Sequence, residues 1–170
     1  MNNSSYANDP VERALDYIKA VARMEKRFHS RIRYRWRLQD MAEGRHTDAS
    51  LPPASALSED AAIDREEAQA RLAELDRELV KEMLQLQAVK DQMWELFSRL
   101  SHPIAWQILE GFYLNGTPIR AIAARNAYSE RYTYRVKNKA LRELGQMLQD
   151  NGVEVPGFAR EGEAAGKGSR

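Results

Sequence analysis

Leu72, Leu79, Leu86, Met93 and Leu100 recur at seven-residue intervals, with Leu75, Val89 and Leu96 at the intermediate positions. A seven-residue period holds one apolar stripe on one side of a helix, which is the seam of a coiled coil. Glu82 interrupts the intermediate series, and Met83 beside it is the expected apolar substitute. A helix of ~40 residues at ~1.5 Å per residue spans ~60 Å, and such a rod cannot bury its stripe alone. It must pack on an earlier helix, on a second copy of the chain, or on both. The earlier helix is present. Asp9-Pro10 reads as an N-cap followed by proline at the first helical position. Val11, Leu15, Ile18, Val21, Met24, Phe28, Ile32 and Trp36 then recur every three or four residues, with Leu38 and Met41 broadening the end of the stripe. Glycine is absent from this stretch until Gly44, so a helix is predicted over residues 10–42. The segment GRHTDASLPPASALS that follows is small, polar and proline-containing, and residues 43–58 are expected to form a flexible link that reverses the chain.

Ser101-His102-Pro103 breaks the long pattern and opens a second region. Ile104, Ile108, Leu109, Phe112 and Tyr113 supply an apolar face, ended by Asn115-Gly116 as a C-terminal stop. Trp106 belongs either to this small core or against the end of the rod. Thr117-Pro118 starts a short helix, with threonine as the cap and proline in the first turn. Ile119, Ile122 and Ala123 share one face of it. Asn126, Ala127 and Tyr128 connect it to the next, and Asn126 is the residue suited to a left-handed turn. Ser129 is the expected N-cap of the last helix, with Glu130 beside its positive end. Val136, Ala140, Leu141 and Leu144 point inward there, and Tyr132 can join them. The opposite face carries Arg131, Thr133, Tyr134, Arg135, Lys137, Asn138, Lys139 and Arg142. The expected fold is therefore all-α. A long N-terminal helical hairpin of coiled-coil character (residues 10–100) precedes a trihelical domain (residues 101–150), with disordered segments at residues 1–9 and 151–170.

The net charge is only +1, so the chain as a whole carries no nucleic-acid signal, but its distribution is uneven. Residues 11–42 hold nine cations and four anions, whereas residues 59–100 hold six and eleven. Opposite balances on two long helical stretches favour their pairing with each other over like with like. The same argument bears on Phe28, Tyr34 and Trp36, which interleave with Arg27, Arg31, Arg33, Arg35 and Arg37. Contact with nucleic acid is one reading of that set; half-buried packing with ion pairs to the acidic helix is the favoured one. Other chemistry recedes. Without cysteine there is neither a disulfide nor a thiolate metal site. The polar start MNNSSYANDP lacks the pattern of a signal peptide, and no run approaches the ~20 apolar residues of a membrane span. His29, His46 and His102 lie in three different settings, and Asp60, Asp64 and Glu67 sit where a helix dipole favours acids. No catalytic residue, metal site or cofactor is expected, and the expected location is cytoplasmic (the host cytoplasm for a phage-encoded chain).

The last helix is where charge and pattern coincide. Arg131, Arg135, Lys137, Lys139 and Arg142 stand against Glu130 and Glu143, a local balance of +3. A short helix, a tight turn and a basic second helix have the layout of a helix-turn-helix, whose second helix enters the major groove. Arg131 and Arg135 lie one turn apart in the N-terminal half, the part that meets base edges, and arginine bonds guanine through two donors at once. Lys137, Lys139 and Arg142, further along, suit phosphates. Residues 102–144 resemble the region 4 helix-turn-helix of sigma-70 family factors: HPIAWQILEGFYLNGTPIRAIA is similar to its leading helices and SERYTYRVKNKALREL to its recognition helix. With the hairpin in front, the chain looks like phage late-gene transcriptional regulators of the ArpU type.

That resemblance implies sequence-specific binding of double-stranded DNA. Arg131, Tyr132, Tyr134 and Arg135 would fall at base-contacting positions, and Ser129 and Lys139 at backbone-contacting ones. Thr117 and Arg120, with Ser129, would anchor the helix starts at the backbone. Host RNA polymerase and a second copy of the chain, joined through the hairpin, are further candidate partners; a membrane is not. The chain departs from the family pattern at Asn126, Ala127 and Thr133, where an apolar residue, a glycine and a branched aliphatic are usual. Two rival readings remain: a DNA-packaging adaptor resembling small terminase subunits, in which the DNA-binding unit usually comes first, and a helix-turn-helix used only for protein docking.

Overall fold

The computed structural model describes residues 9–43 and 59–156. Nearly all of the expected N-terminal segment and of the link, and the greater part of the expected tail, lie outside them. Among the described residues there are five α-helices and no strand. They are α1 (Pro10–Ala42), α2 (Glu59–Ser98), α3 (Ala105–Leu109), α4 (Ile119–Arg125) and α5 (Glu130–Asp150), with a π-helical turn, Glu110–Leu114, continuing α3. The all-α class is as expected, and no described helix is long and apolar enough to cross a membrane. Asp9 starts α1 as anticipated: its Oδ1 accepts the Val11 N–H at 2.9 Å and its carbonyl the Arg13 N–H at 3.1 Å. α5 ends on Gly152, in the left-handed region at φ 60°, with the Val153 N–H returned to the Leu148 carbonyl at 2.9 Å. The first residues of the expected tail thus close a helix.

The helices divide differently from the sequence expectation. Arg23–Asp91 forms one compact unit, and the segments before and after it form the other. The beginning of α1 and the end of α2 therefore belong with α3, α4 and α5, and the boundary is not near residue 100. Burial gives the reason. Ala14, Tyr17, Ile18 and Val21 from α1, and Met93, Leu96 and Phe97 from α2, are as fully enclosed as Ile108, Leu109 and Leu144. Tyr17, which the apolar stripe had not included, is wholly buried; its hydroxyl donates to Gln92 Oε1 at 3.2 Å, and burial pushes its pKa up to about 12.

In the Arg23–Asp91 unit, Leu38, Leu75 and Leu79 form a core with Phe28, Ile32 and Leu72 packed on it. Leu38, not Trp36, ends the α1 stripe; Trp36 is 58 % exposed. Glu82 is the larger departure. Met83 does not replace it at the seam but stands exposed, and Glu82 itself receives Arg31 Nη1 at 2.6 Å, with Arg27 Nη2 at 3.7 Å. Its other oxygen is buried without a hydrogen bond. Arg31 also reaches Glu78, Arg35 bonds Asp76 at 2.6 Å, and Lys90 meets Glu25 at 2.9 Å. A carboxylate holds an apolar position here because arginines from α1 arrive with it, and half-buried pairs of this kind fix register more than they add stability. The arginine series of α1 is thus divided. Arg27, Arg31 and Arg35 pair with α2 as favoured, while Arg33, Arg37, Tyr34 and Trp36 are exposed.

Candidate nucleic-acid interface

α3 contacts α5, and α4 contacts both α5 and the π turn. Ile119, Ile122 and Ala123 of α4 and Val136, Ala140, Leu141 and Leu144 of α5 are buried, in agreement with the inward pattern. Trp106 lies against the end of α2, its ring edge-on to Trp94 at 5.6 Å. The π turn closes with the Asn115 N–H on the Glu110 carbonyl at 3.0 Å, and Gly116 at φ 63° reverses the chain as expected of the Asn-Gly stop. Thr117 does not cap α4. Its N–H is held by the Gly111 carbonyl at 2.7 Å, and the N-cap is Pro118, whose extended ψ of 143° and carbonyl start the helix one residue later.

The four residues between α4 and α5 set the geometry of the site. The Tyr128 N–H returns to the Ala123 carbonyl at 3.0 Å and the Ala127 N–H to the Ala124 carbonyl at 3.2 Å. These two bonds make a Schellman closure, which requires a left-handed residue just past the cap. That residue is Ala127 at φ 56°, whereas Asn126, expected to supply the left-handed step, has φ −100°. Asn126 instead turns its side-chain amide back to the Ile122 carbonyl at 2.9 Å. A Cβ in this region costs ~1–2 kcal/mol, and glycine recovers most of it less its own entropy in the unfolded chain. Ala127→Gly is expected to stabilise the protein by ~0.5–1 kcal/mol, seen as a higher urea midpoint with unchanged slope. A lowered midpoint would contradict this turn.

Ser129 caps α5 as expected, its Oγ accepting the Tyr132 N–H at 3.2 Å. Thr133, expected on the outer face, is only 1 % exposed. Its hydroxyl donates to the Ser129 carbonyl at 3.1 Å, so the helix backbone satisfies the polar atom and the methyl takes the buried place of an aliphatic.

Outward, one side of α5 presents Arg131, Tyr134, Arg135, Asn138, Lys139 and Arg142, all exposed. Arg131, Arg135 and Arg142 have no ion-pair partner among the described residues. Arg120 on α4 and Ser129 are also exposed, and Thr117 is half-buried. Tyr132 and Lys137 stand apart from the other candidates. The Tyr132 hydroxyl meets His102 Nε2 at 3.0 Å, while His102 Nδ1 faces the Ile104 N–H at 3.4 Å. An Nδ1 that accepts leaves the proton on Nε2, so the imidazole donates to the phenol oxygen. The Arg135 guanidinium lies 5.7 Å from the Tyr132 ring centre, close enough for a cation–π contact.

Lys137 is half-buried among rings, its Nζ 4.7 Å from Phe112, 5.7 Å from Tyr113 and 5.2 Å from Tyr134. Desolvation lowers its pKa. This position suits packing against the π turn better than the phosphate contact assigned from spacing. Glu143, counted from the sequence only as an anion, has a structural role that sequence reasoning missed. It receives Ser101 Oγ at 2.6 Å and the Ser101 N–H at 3.0 Å, with Lys139 at 3.6 Å. Burial disfavours its charge, but the Ser101 bonds and Lys139 outweigh that and hold its carboxyl below the usual range. No family model, curated protein or solved structure matches the chain.

Proposed function

We propose that the chain is a sequence-specific double-stranded DNA-binding transcriptional regulator of phage type. In this reading α4 and α5 form a helix-turn-helix, and α1 and α2, earlier in the chain, pair as a hairpin. α5 lies in the major groove with Arg131 and Arg135 toward base edges, and Lys139 and Arg142 toward phosphates. Tyr134 joins the base-facing side, Tyr132 positions Arg135 from behind, and Arg120 and Ser129 sit where helix starts meet the backbone. One observation carries the reading. The buried side of α5 is apolar apart from Thr133, whose hydroxyl the helix backbone satisfies, while Arg131, Arg135 and Arg142 stand exposed on the other side without an ion-pair partner among the described residues. Three unneutralised guanidinium groups on one helix face make a polyanion the natural complement.

Selection from a random duplex library, followed by affinity measurement over a range of salt, tests this directly. Enrichment of one sequence, with affinity falling steeply as salt rises, is the expected result. Lys139→Ala should weaken all sequences alike and make the salt slope shallower by about one, because a single phosphate contact is lost. No enrichment and no salt-sensitive binding would leave a protein-docking role. A large ring-shaped assembly without effect on transcription would favour DNA packaging.

A further inference from the structure

Within the Arg23–Asp91 unit, the side of α2 away from its seam is not the polar surface expected of a helix packed on one side. Val80 is 53 % exposed, Met83 49 % and Leu84 62 %, whereas the seam residues Leu75, Leu79 and Leu86 are buried. Contiguous exposed aliphatics on one helix mark an interaction surface. The residues around them repeat symmetrically about Leu84. Val80 and Ala88 lie four residues to either side of it, and Arg77 and Asp91 lie seven. All of these lie on or beside one stripe, because offsets of four and seven return to the same helix face.

We propose that this unit pairs with a second copy of the chain through an antiparallel contact of α2 centred on Leu84. The order of charges selects that partner and orientation. In an antiparallel two-fold pair, a residue seven places before the centre faces one seven places after it on the other copy. Each Arg77 then faces an Asp91, twice per dimer, on either side of an apolar middle made by Leu84, Val80 and Ala88. A parallel pair in register would instead place Arg77 on Arg77 and Asp91 on Asp91. Arg77 has no ion-pair partner among the described residues, and Asp91 accepts only a neutral donor, Gln87 Nε2 at 2.7 Å. Both charges therefore await an opposite one.

Sedimentation of the full chain over ~1–100 µM tests the proposal, this being the range in which a dimer of moderate affinity dissociates. The parent is expected to move from the mass of one chain to that of two. Leu84→Glu should remain monomeric throughout with unchanged helical circular dichroism, since the side chain is already exposed. Arg77→Asp and Asp91→Arg should each weaken the dimer roughly tenfold or more. The double variant should restore it, and an equal mixture of the two single variants should form a mixed dimer preferred over either self-pair. A parent that stays monomeric, as when another segment of the same chain covers this face, overturns the proposal. So does a dimer that Leu84→Glu leaves intact, or a double variant that fails to recover. None of these measurements involves DNA, so their failure and failure of the regulator reading are separate results.

Discussion

Gly145→Ala is expected to destabilise the folded chain by ~2 kcal/mol, although the same change in an ordinary helix interior stabilises by ~1 kcal/mol. Gly145 is buried on α5, where a Cβ would stand 1.7 Å from the Pro10 carbonyl oxygen, 2.3 Å from its carbon and 2.7 Å from its Cα. These are backbone atoms, so no change of rotamer relieves the overlap, and the start of α1 must move away from α5. Asp9 caps that first turn and Ala14, Tyr17 and Ile18 are enclosed a few residues on, so the displacement reaches the core of this unit. A thermal midpoint lower by roughly 4–8 °C is expected for a protein of this size. Gln146→Ala, one residue along and exposed, should change it little and serves as the control. The sign decides the matter: a raised midpoint for Gly145→Ala means that helix propensity alone acts there, and that α1 does not approach α5 so closely.

That contact shows where reading the sequence stops. Apolar spacing placed α1, α2, α4 and α5 well, because period and caps are local properties: Asp9, Ser129 and Gly116 each act within a few residues of themselves. Thr117 and Pro118 erred by one residue: the carbonyl that opens α4 is that of Pro118, while the Thr117 N–H turns back to the Gly111 carbonyl. The larger misses all have a distant partner. Glu82 occupies the seam because Arg27 and Arg31 meet it from more than 50 residues away in sequence. Gly145, on which the helical pattern is silent, owes its place to the Pro10 backbone, which leaves no room for a Cβ. Lys137 reads as an outward cation until the π turn brings Phe112 and Tyr113 beneath its ammonium group. Glu143 counts only as an anion on a basic helix until Ser101 donates to it twice. At the candidate interface, the cationic side of α5 was legible and the surroundings of its side chains were not. The face follows from periodicity, whereas the settings of Tyr132 and Lys137 depend on His102 and on aromatic rings from other elements.

If α5 reads DNA as proposed, Arg135→Ala should cost ~1–3 kcal/mol at the selected site, roughly ten- to a hundredfold in affinity, and relax the preference at one base position. Arg131→Ala should do the same one helical turn away, at a neighbouring position. The reason for expecting a large effect at Arg135 lies in its setting. Its guanidinium rests beside the Tyr132 ring, and the tyrosine hydroxyl is itself held by His102, so the side chain is partly ordered before any ligand arrives. A donor fork already in place loses less rotamer freedom on binding, which makes its removal more costly than that of a loose surface cation. Arg135→Lys separates charge from geometry. It keeps the positive charge and the salt dependence but offers no planar fork, so the base preference should still be lost. Binding by competition against single-base variants of the selected duplex measures both quantities at once. Equal discrimination by parent, Arg135→Ala and Arg135→Lys would show that this face does not read bases, and the exposed cations of α5 would then need another polyanion.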